Sequence, residues 1–533
     1  MSGHRRCNRG RRTICAAIFL AVLGAGDGIA AGASPVSGGT TKISVNAASG
    51  GPSIDQNLLG VNQSLQAGVA AMRAIGIRWA RTDVSFEATV RNRQVVDCAT
   101  GSWNSAPLDS RVAVDHAEGA TPLLLVDYTP GCLSDSTTDP SRSPPDLGSH
   151  RARWDALVEK MAFHEIKAEH VRWFEIWNEP DNPQFWSGTE KQYLNLYVDT
   201  THAIEKAARR ARTRVYVGGP ALADFLGTVD MPWIKGLLQI AVTDHVPVDF
   251  LSWHLYANDP MAGPLQAGAS PICINSSPGP NGAPCWYNPA VSASLYSRSV
   301  TAVRDELSHY RQLHPLLFID EWNIDAGNDP RANTAYDAAF AAAVLGAAQS
   351  SALYAMDFFD VSDSTDNPEE NLGMLTGTQS PKPVYRAFAD WHRLTGRALA
   401  TAVQAPGGAA PGSRGTPWGR RGAGSATVGG VEVGAVGSKR AGIVRILVYD
   451  FGAYDPTAVY GAVDPNIFDR NVVVSVRGLA ARTYSAQVTA INTKHPGSVV
   501  LRTKVSGPAT ALSLQLAGES VDLVTLTLTL TPN

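Results

Sequence analysis

Two glutamates sit at the ends of apolar runs, where a side chain can pass from packing to chemistry. The run Trp173-Phe174-Glu175-Ile176-Trp177-Asn178-Glu179-Pro180-Asp181 is mostly apolar until it breaks at Asn-Glu-Pro. Proline cannot donate to a strand ladder, so Glu179 falls at the tip of its strand. The run Leu316-Leu317-Phe318-Ile319-Asp320-Glu321-Trp322-Asn323 ends in the same way on Glu321. Two carboxyl groups facing each other across a cleft suit cleavage of a glycosidic bond. One delivers a proton to the leaving oxygen, and the other, ionised, attacks the anomeric carbon. Burial and proximity separate their proton affinities, so each keeps its own role. A single strand-end glutamate is ordinarily a helix cap or an ion-pair partner. A pair flanked by Trp and Asn points to catalysis. Strand alternation is expected to turn Asp320 to the face opposite Glu321. Glu175 shares parity with Glu179 and reads as a buried structural carboxylate.

Other run ends add polar groups. In Asp249-Phe250-Leu251-Ser252-Trp253-His254-Leu255-Tyr256, His254 and Tyr256 alternate onto one face and are expected to point at the pair. Arg81 closes an earlier run and suits holding a carboxylate ionised; Asp127 closes another. Trp177, Trp322 and Phe358 offer flat faces for a sugar ring or, equally, for core packing. Rival chemistries lack their patterns. His164 and His170 are six apart, off one helical face, and neither a Walker A sequence nor a Gly-x-Ser-x-Gly elbow occurs. No metal and no cofactor is expected.

These residues need a scaffold that gathers many strand ends in one place. Apolar runs at 58–62, 77–81, 122–127, 171–178, 214–218, 250–253, 316–320 and 353–358 alternate with amphipathic stretches such as 151–167, 193–210, 291–313 and 335–348. That alternation implies parallel βαβ units. Eight of them predict a (β/α)8 TIM barrel, an α/β fold whose strands all end on the face where sites form. A doubly wound sheet would bring a Gly-rich loop after its first strand, and Gly60-Val61-Asn62-Gln63 is not one. Loops at 86–107, 128–149 and 257–290 are long enough to wall a cleft. They contain Cys98, Cys132, Cys273 and Cys285, for which the favoured pairs are Cys98–Cys132 and Cys273–Cys285. The Gly- and Pro-rich stretch 403–425 reads as a linker. Runs at 443–449, 471–476, 483–490, 512–516 and 521–530 then alternate as strands of a C-terminal β-sandwich. A strand at 41–47 has no barrel role and is expected to join it. The organisation is a leader at 1–33, a strand segment at 34–53, the barrel at 54–398, and linker and sandwich at 399–533.

The leader carries Arg5, Arg6, Arg9, Arg11 and Arg12, an apolar run at 14–23 and the small residues Ala31-Gly32-Ala33. This is the pattern of a secretory signal peptide, and the apolar run is too short to span a bilayer. An uncleaved anchor is the rival reading. The expected location is secreted or periplasmic. Without the leader, the formal charge goes from −3 to about −7, which gives nucleic acid no basic surface to meet. A carbohydrate is the expected partner, with no stable membrane insertion and the oligomeric state open.

These motifs together resemble glycoside hydrolase family 39, within the clan of (β/α)8 retaining hydrolases. The segment from Phe174 to Asp181, followed by Phe185-Trp186, resembles the family's acid/base motif. Asp249 to Tyr256, Glu321-Trp322-Asn323, Gly373-Met374 and Pro381 to Phe388 resemble later family segments. Leu447-Val448-Tyr449 and Asn492 to His495 resemble its sandwich. The resemblance implies double displacement, with Glu321 as nucleophile, Glu179 as acid/base and Asn178 on the sugar 2-hydroxyl. Three positions depart from the pattern. Thr82-Asp83-Val84 lacks the family's histidine after Arg81, Asp320 replaces the usual Thr or Ser before the nucleophile, and the eighth strand lacks the clan's Trp. Export and long loops favour a polysaccharide cut internally. An exo-acting β-xylosidase and a non-catalytic carbohydrate-binding protein are the alternatives.

Overall fold

The computed structural model describes residues 39–533 except 91–92, 137–138, 140, 224–229, 257–270, 274–284, 288–292, 325–329, 366–370, 407–422, 429–430, 452–468 and 530–533. The leader and most of the loop at 257–290 therefore lie outside the described residues.

Eight parallel strands close into a barrel in chain order. They are Gly60–Asn62, Trp79–Asp83, Thr121–Val126, Trp173–Ile176, Tyr216–Leu222, Phe250–Tyr256, Leu316–Asn323 and Ala355–Phe358. The eighth returns to the first through Asp357↔Gly60 and Phe358↔Val61. Each expected run yields one of these strands, so the barrel reading of the sequence stands. The helices Arg151–Ala168, Glu190–Ala211, Ser294–Leu307 and Ala335–Gln349 fall on the stretches expected to be helical, although Ala335–Gln349 is buried on every side rather than amphipathic. Glu190–Ala211 starts at a capping box, in which the Thr189 hydroxyl takes the Gln192 N–H and the Gln192 side chain returns to Thr189 N–H.

The barrel interior is layered. Its floor is apolar: Trp79, Leu123, Trp173, Phe250, Phe318 and Ala355 pack together. Trp79 meets Trp173 edge to face at 5.0 Å and Phe318 at 5.3 Å. Side chains two residues further along a strand point the same way, one layer up. That step turns Trp79 into Arg81, Trp173 into Glu175, Phe250 into Ser252, Phe318 into Asp320 and Ala355 into Asp357. Gly60 is needed beside this polar layer, because a Cβ there would lie 1.8 Å from Asp357 Oδ1.

Apart from three two-stranded ladders, the remaining described strands form a ten-stranded, largely antiparallel sheet around its own core of Ile43, Val45, Leu399, Val448, Val474, Leu514, Val524 and neighbours. Thr41–Asn46 runs antiparallel to Arg397–Gln404 and parallel to Arg470–Arg477. The helix Ala335–Gln349 is buried along its whole length. It lies between the barrel and this sheet, with Tyr336 and Phe340 against Phe451 at 5.1 and 5.7 Å. Its Ala-rich sequence fits that place, because a helix covered on all sides needs no polar face. Cys98 and Cys132 form a disulfide with a Cα–Cα distance of 5.6 Å, pinning the loops after the second and third strands. Cys273 and Cys285 lie opposite each other in a two-stranded ladder, and their side chains are outside the described set.

Candidate active site

Glu179 follows the fourth strand and Glu321 lies near the end of the seventh. Together with a His254 ring nitrogen, their oxygens lie within 4.8 Å of one another at the barrel mouth. The turn that delivers Glu179 is strained: Trp177 has φ 67° and Glu179 φ 45°, a region that non-glycine residues enter at a cost. Fixed contacts hold it there. Trp177 N–H donates to Val126 O at 3.1 Å, and Glu179 N–H to Ala221 O at 2.9 Å. The Trp177 indole donates to Phe185 O at 3.0 Å. Glu179 then takes Asn182 Nδ2 on Oε2 and faces His254 Nδ1 through Oε1, both at 2.8 Å.

Glu321 reaches the mouth by a different device. In the ladder between the sixth and seventh strands, Trp253 pairs with Ile319 but His254 pairs with Glu321. The register slips there, so the seventh strand carries one extra residue. A bulge of this kind turns two consecutive side chains to the same side. The alternation argument for Asp320 therefore fails. Asp320 does not face away: it points into the barrel one layer below Glu321, with Oδ2 3.9 Å from Arg81 Nε and Oδ1 3.7 Å from His254 Nε2.

Arg81 organises the cluster. Its Nε donates to Glu175 Oε2 at 2.7 Å, Nη1 to Glu321 Oε2 at 3.1 Å, and Nη2 to Asn178 Oδ1 at 2.9 Å. Burial works against its charge, but Glu175 and Glu321, both in direct contact with it, hold the guanidinium firmly protonated. Burial raises Glu321 above the ordinary carboxylate range, with the Arg81 guanidinium pulling the other way. The Tyr256 hydroxyl donates to Glu321 Oε1. Burial also pushes His254 down to about 4, against the pull of Glu321, so the imidazole is neutral near pH 7. A neutral imidazole adds no cation that would strip Glu179 of a proton. Two carboxyl groups this close share one proton more readily than they carry two charges. The arrangement thus supports one acid and one anion side by side.

Arg81, Asn178, Glu179, His254, Tyr256 and Glu321 are brought together. Two other expected site residues are not. Trp322 is fully buried on the outer side of the barrel, stacked on Phe388 at 5.9 Å and edge-on to Phe358 at 5.0 Å. The bulge that turns Glu321 inward turns Trp322 outward, so Trp322 and Phe358 are core residues rather than sugar platforms. Trp177 is also buried, wedged edge-on between Tyr128 and Trp186. Asp127 is buried too, and its Oδ1 takes the Ser85 N–H at 2.9 Å. Three contributors were missed. Ser252 Oγ donates to Glu175 Oε1 at 2.5 Å, and Asn62 Nδ2 donates to Asp320 O at 2.9 Å. The third, Asn182, holds Glu179. Ser252 was legible by parity, two residues after Phe250. Elsewhere, Asp109, His164 and Glu169 come within 4.8 Å of one another on the half-buried helix surface, where His164 Nε2 and Asp109 Oδ1 lie at 2.8 Å.

Residues 145–408 match the model of glycosyl hydrolases family 39. This central region belongs to glycoside hydrolase family 39. The chain is 26% identical over 303 residues to a β-xylosidase of Caldicellulosiruptor saccharolyticus, covering 53% of this chain and 54% of that protein. A β-xylosidase of Geobacillus stearothermophilus is 37% identical over 112 residues, covering 20% and 21%. The chain thus spans about half, or less, of the curated relatives it matches. Among solved structures, the family 39 enzyme from Xanthomonas axonopodis pv. citri superposes with a TM-score of 0.70 at 18% identity, covering 93% of this chain and all of that one. A monomeric β-xylosidase from Caulobacter crescentus CB15 gives 0.67 at 17% identity over 91% and 99%. These two likenesses are likenesses of fold.

Proposed function

We propose that this family 39 member is an exported retaining glycoside hydrolase, with Glu321 as nucleophile and Glu179 as acid/base. The carrying observation is the spacing of the pair. Oxygens within 4.8 Å suit the direct attack of a retaining enzyme, whose carboxyls stand about 5–5.5 Å apart, better than the about 6.5–9.5 Å that leaves room for a water. Arg81 and Tyr256 donate to Glu321 and so stabilise the anion that attacks. Glu179 protonates the departing oxygen and, after the glycosyl-enzyme forms, takes a proton from the incoming water. Asn178, fixed by Arg81, lies beside the pair where the 2-hydroxyl of the sugar would sit.

The β-xylosidases among the relatives make a β-xyloside the first substrate to try. Internal cleavage of a polysaccharide is the competing specificity, and the leader pattern supports action outside the cytoplasm. The test is hydrolysis of a panel of aryl glycosides and polysaccharides by residues 34–533. Release of single sugars from chain ends establishes exo action, and mid-chain cuts establish endo action. Sugar binding without turnover on any member would replace the enzyme with a binding protein.

A further inference from the structure

Asp320 has a problem that the catalytic roles leave unsolved. Its side chain is fully buried, and among the described residues no N–H or O–H donor reaches either carboxylate oxygen. A buried anion without a donor is among the costliest groups a fold can contain. Its main-chain carbonyl is pinned by Asn62 Nδ2, so the residue is held in place. The groups facing it are Glu175 from the fourth strand, Arg81 from the second, His254 from the sixth, Asp357 from the eighth and Glu321 beside it. One guanidinium therefore serves Glu175, Asp320 and Glu321, while His254 is neutral. Glu175 already has two donors, Arg81 Nε on Oε2 and Ser252 Oγ on Oε1.

We propose that Asp320 is a neutral positioning carboxyl that donates its proton to Glu175, and that this bond limits the claim of Glu175 on Arg81 so that Arg81 also holds Glu321 as the anion. The assignment of the proton follows from the surroundings. Burial and then Glu175 push Asp320 far above the ordinary carboxylate range. Glu175 stays below that range despite its own burial, held chiefly by Arg81. The proton satisfies the orphaned oxygen and removes the third negative charge from around a single cation. Ionisation of Asp320 would set it 3.9 Å from Arg81 Nε as a competitor for the same guanidinium. This inference rests on Glu321 being the nucleophile.

The experiment compares wild type with Asp320→Asn, whose amide donates without charge, and Asp320→Leu, which cannot donate. Infrared difference spectra in heavy water should show a protonated-carboxyl stretch in wild type that is lost in Asp320→Asn. On an aryl glycoside with a good leaving group, the acid limb of kcat/KM reports Glu321. Asp320→Asn should keep that limb where wild type has it, whatever its rate. Asp320→Leu should move it up by about one pH unit as Arg81 turns to Glu175. An unchanged infrared spectrum, or a limb that falls in Asp320→Asn, would show Asp320 ionised and overturn the proposal. A limb unmoved in a folded Asp320→Leu would leave the proton but remove the positioning role. Absence of turnover in wild type would strike the glycosidase reading instead, and the infrared band, which needs only the near-isosteric Asp320→Asn, would still decide the proton.

Discussion

The floor and the middle layer of the barrel are built from the same strands, two residues apart, and obey opposite rules. The floor joins Trp79, Trp173, Phe250 and Phe318 by ring contacts that ask nothing of pH or charge. The layer above ties Arg81, Glu175 and Ser252 together by hydrogen bonds and buries the carboxyls of Asp320 and Asp357 beside them. The lesson is a division of labour. The aromatic floor closes the barrel below and sets strand positions, and the polar layer sets the charge of Glu321 above it.

The comparison can be broken most sharply at the mouth. Glu321→Ala should lower kcat/KM by at least about 10⁴-fold while thermal unfolding stays near wild type. Near-normal turnover in a folded variant would end the assignment. Glu179→Ala should lose about 10²–10⁴-fold on substrates with poor leaving groups and far less on activated ones. A uniform loss across leaving groups would deny Glu179 the acid role.

Arg81→Met and Trp173→Ala then sharpen the contrast between layers. Breaking the buried ion pair should cost about 3–5 kcal/mol, and emptying the floor a similar 3–5 kcal/mol. Their pH dependence should differ. Glu175 is depressed in the fold, so its contribution is present above the unfolded carboxylate range and is lost as pH falls through its folded value. The deficit of Arg81→Met should therefore shrink in acid, whereas that of Trp173→Ala should stay constant. Denaturant melts across pH would show it, and parallel curves would refute the distinction. The smallest effect is in wild type: the acid limb of kcat/KM should lie above the free glutamate range of about 4.3, because burial raises Glu321. A limb at or below that value would mean that Arg81 and Tyr256 outweigh burial.

Much of this was legible before any coordinates. Strand positions follow from short apolar runs alternating with helical periods, and those signals are local. Glu179 was legible because Asn-Glu-Pro ends a strand in its own sequence. The bulge in the seventh strand was not. Nothing in Phe318-Ile319-Asp320-Glu321-Trp322 marks the extra residue, because it exists only in the register with the sixth strand. One slip of register brings Glu321 inward beside Asp320 and turns Trp322 outward. Asn62 was missed for a related reason: it lies on a three-residue strand with too little alternation to give it a face.

The helix Ala335–Gln349 limits how this protein can be taken apart. All fifteen of its residues are covered, the barrel taking one side and the sheet the other. Cutting after the last barrel helix would uncover a continuous stripe of alanine, tyrosine and phenylalanine on what remained. Exposed apolar stripes of that kind invite aggregation. A shortened catalytic fragment would therefore need a repainted helix surface before it could be handled in solution, and swapping the sheet for another module would have to preserve a socket for Tyr336 and Phe340.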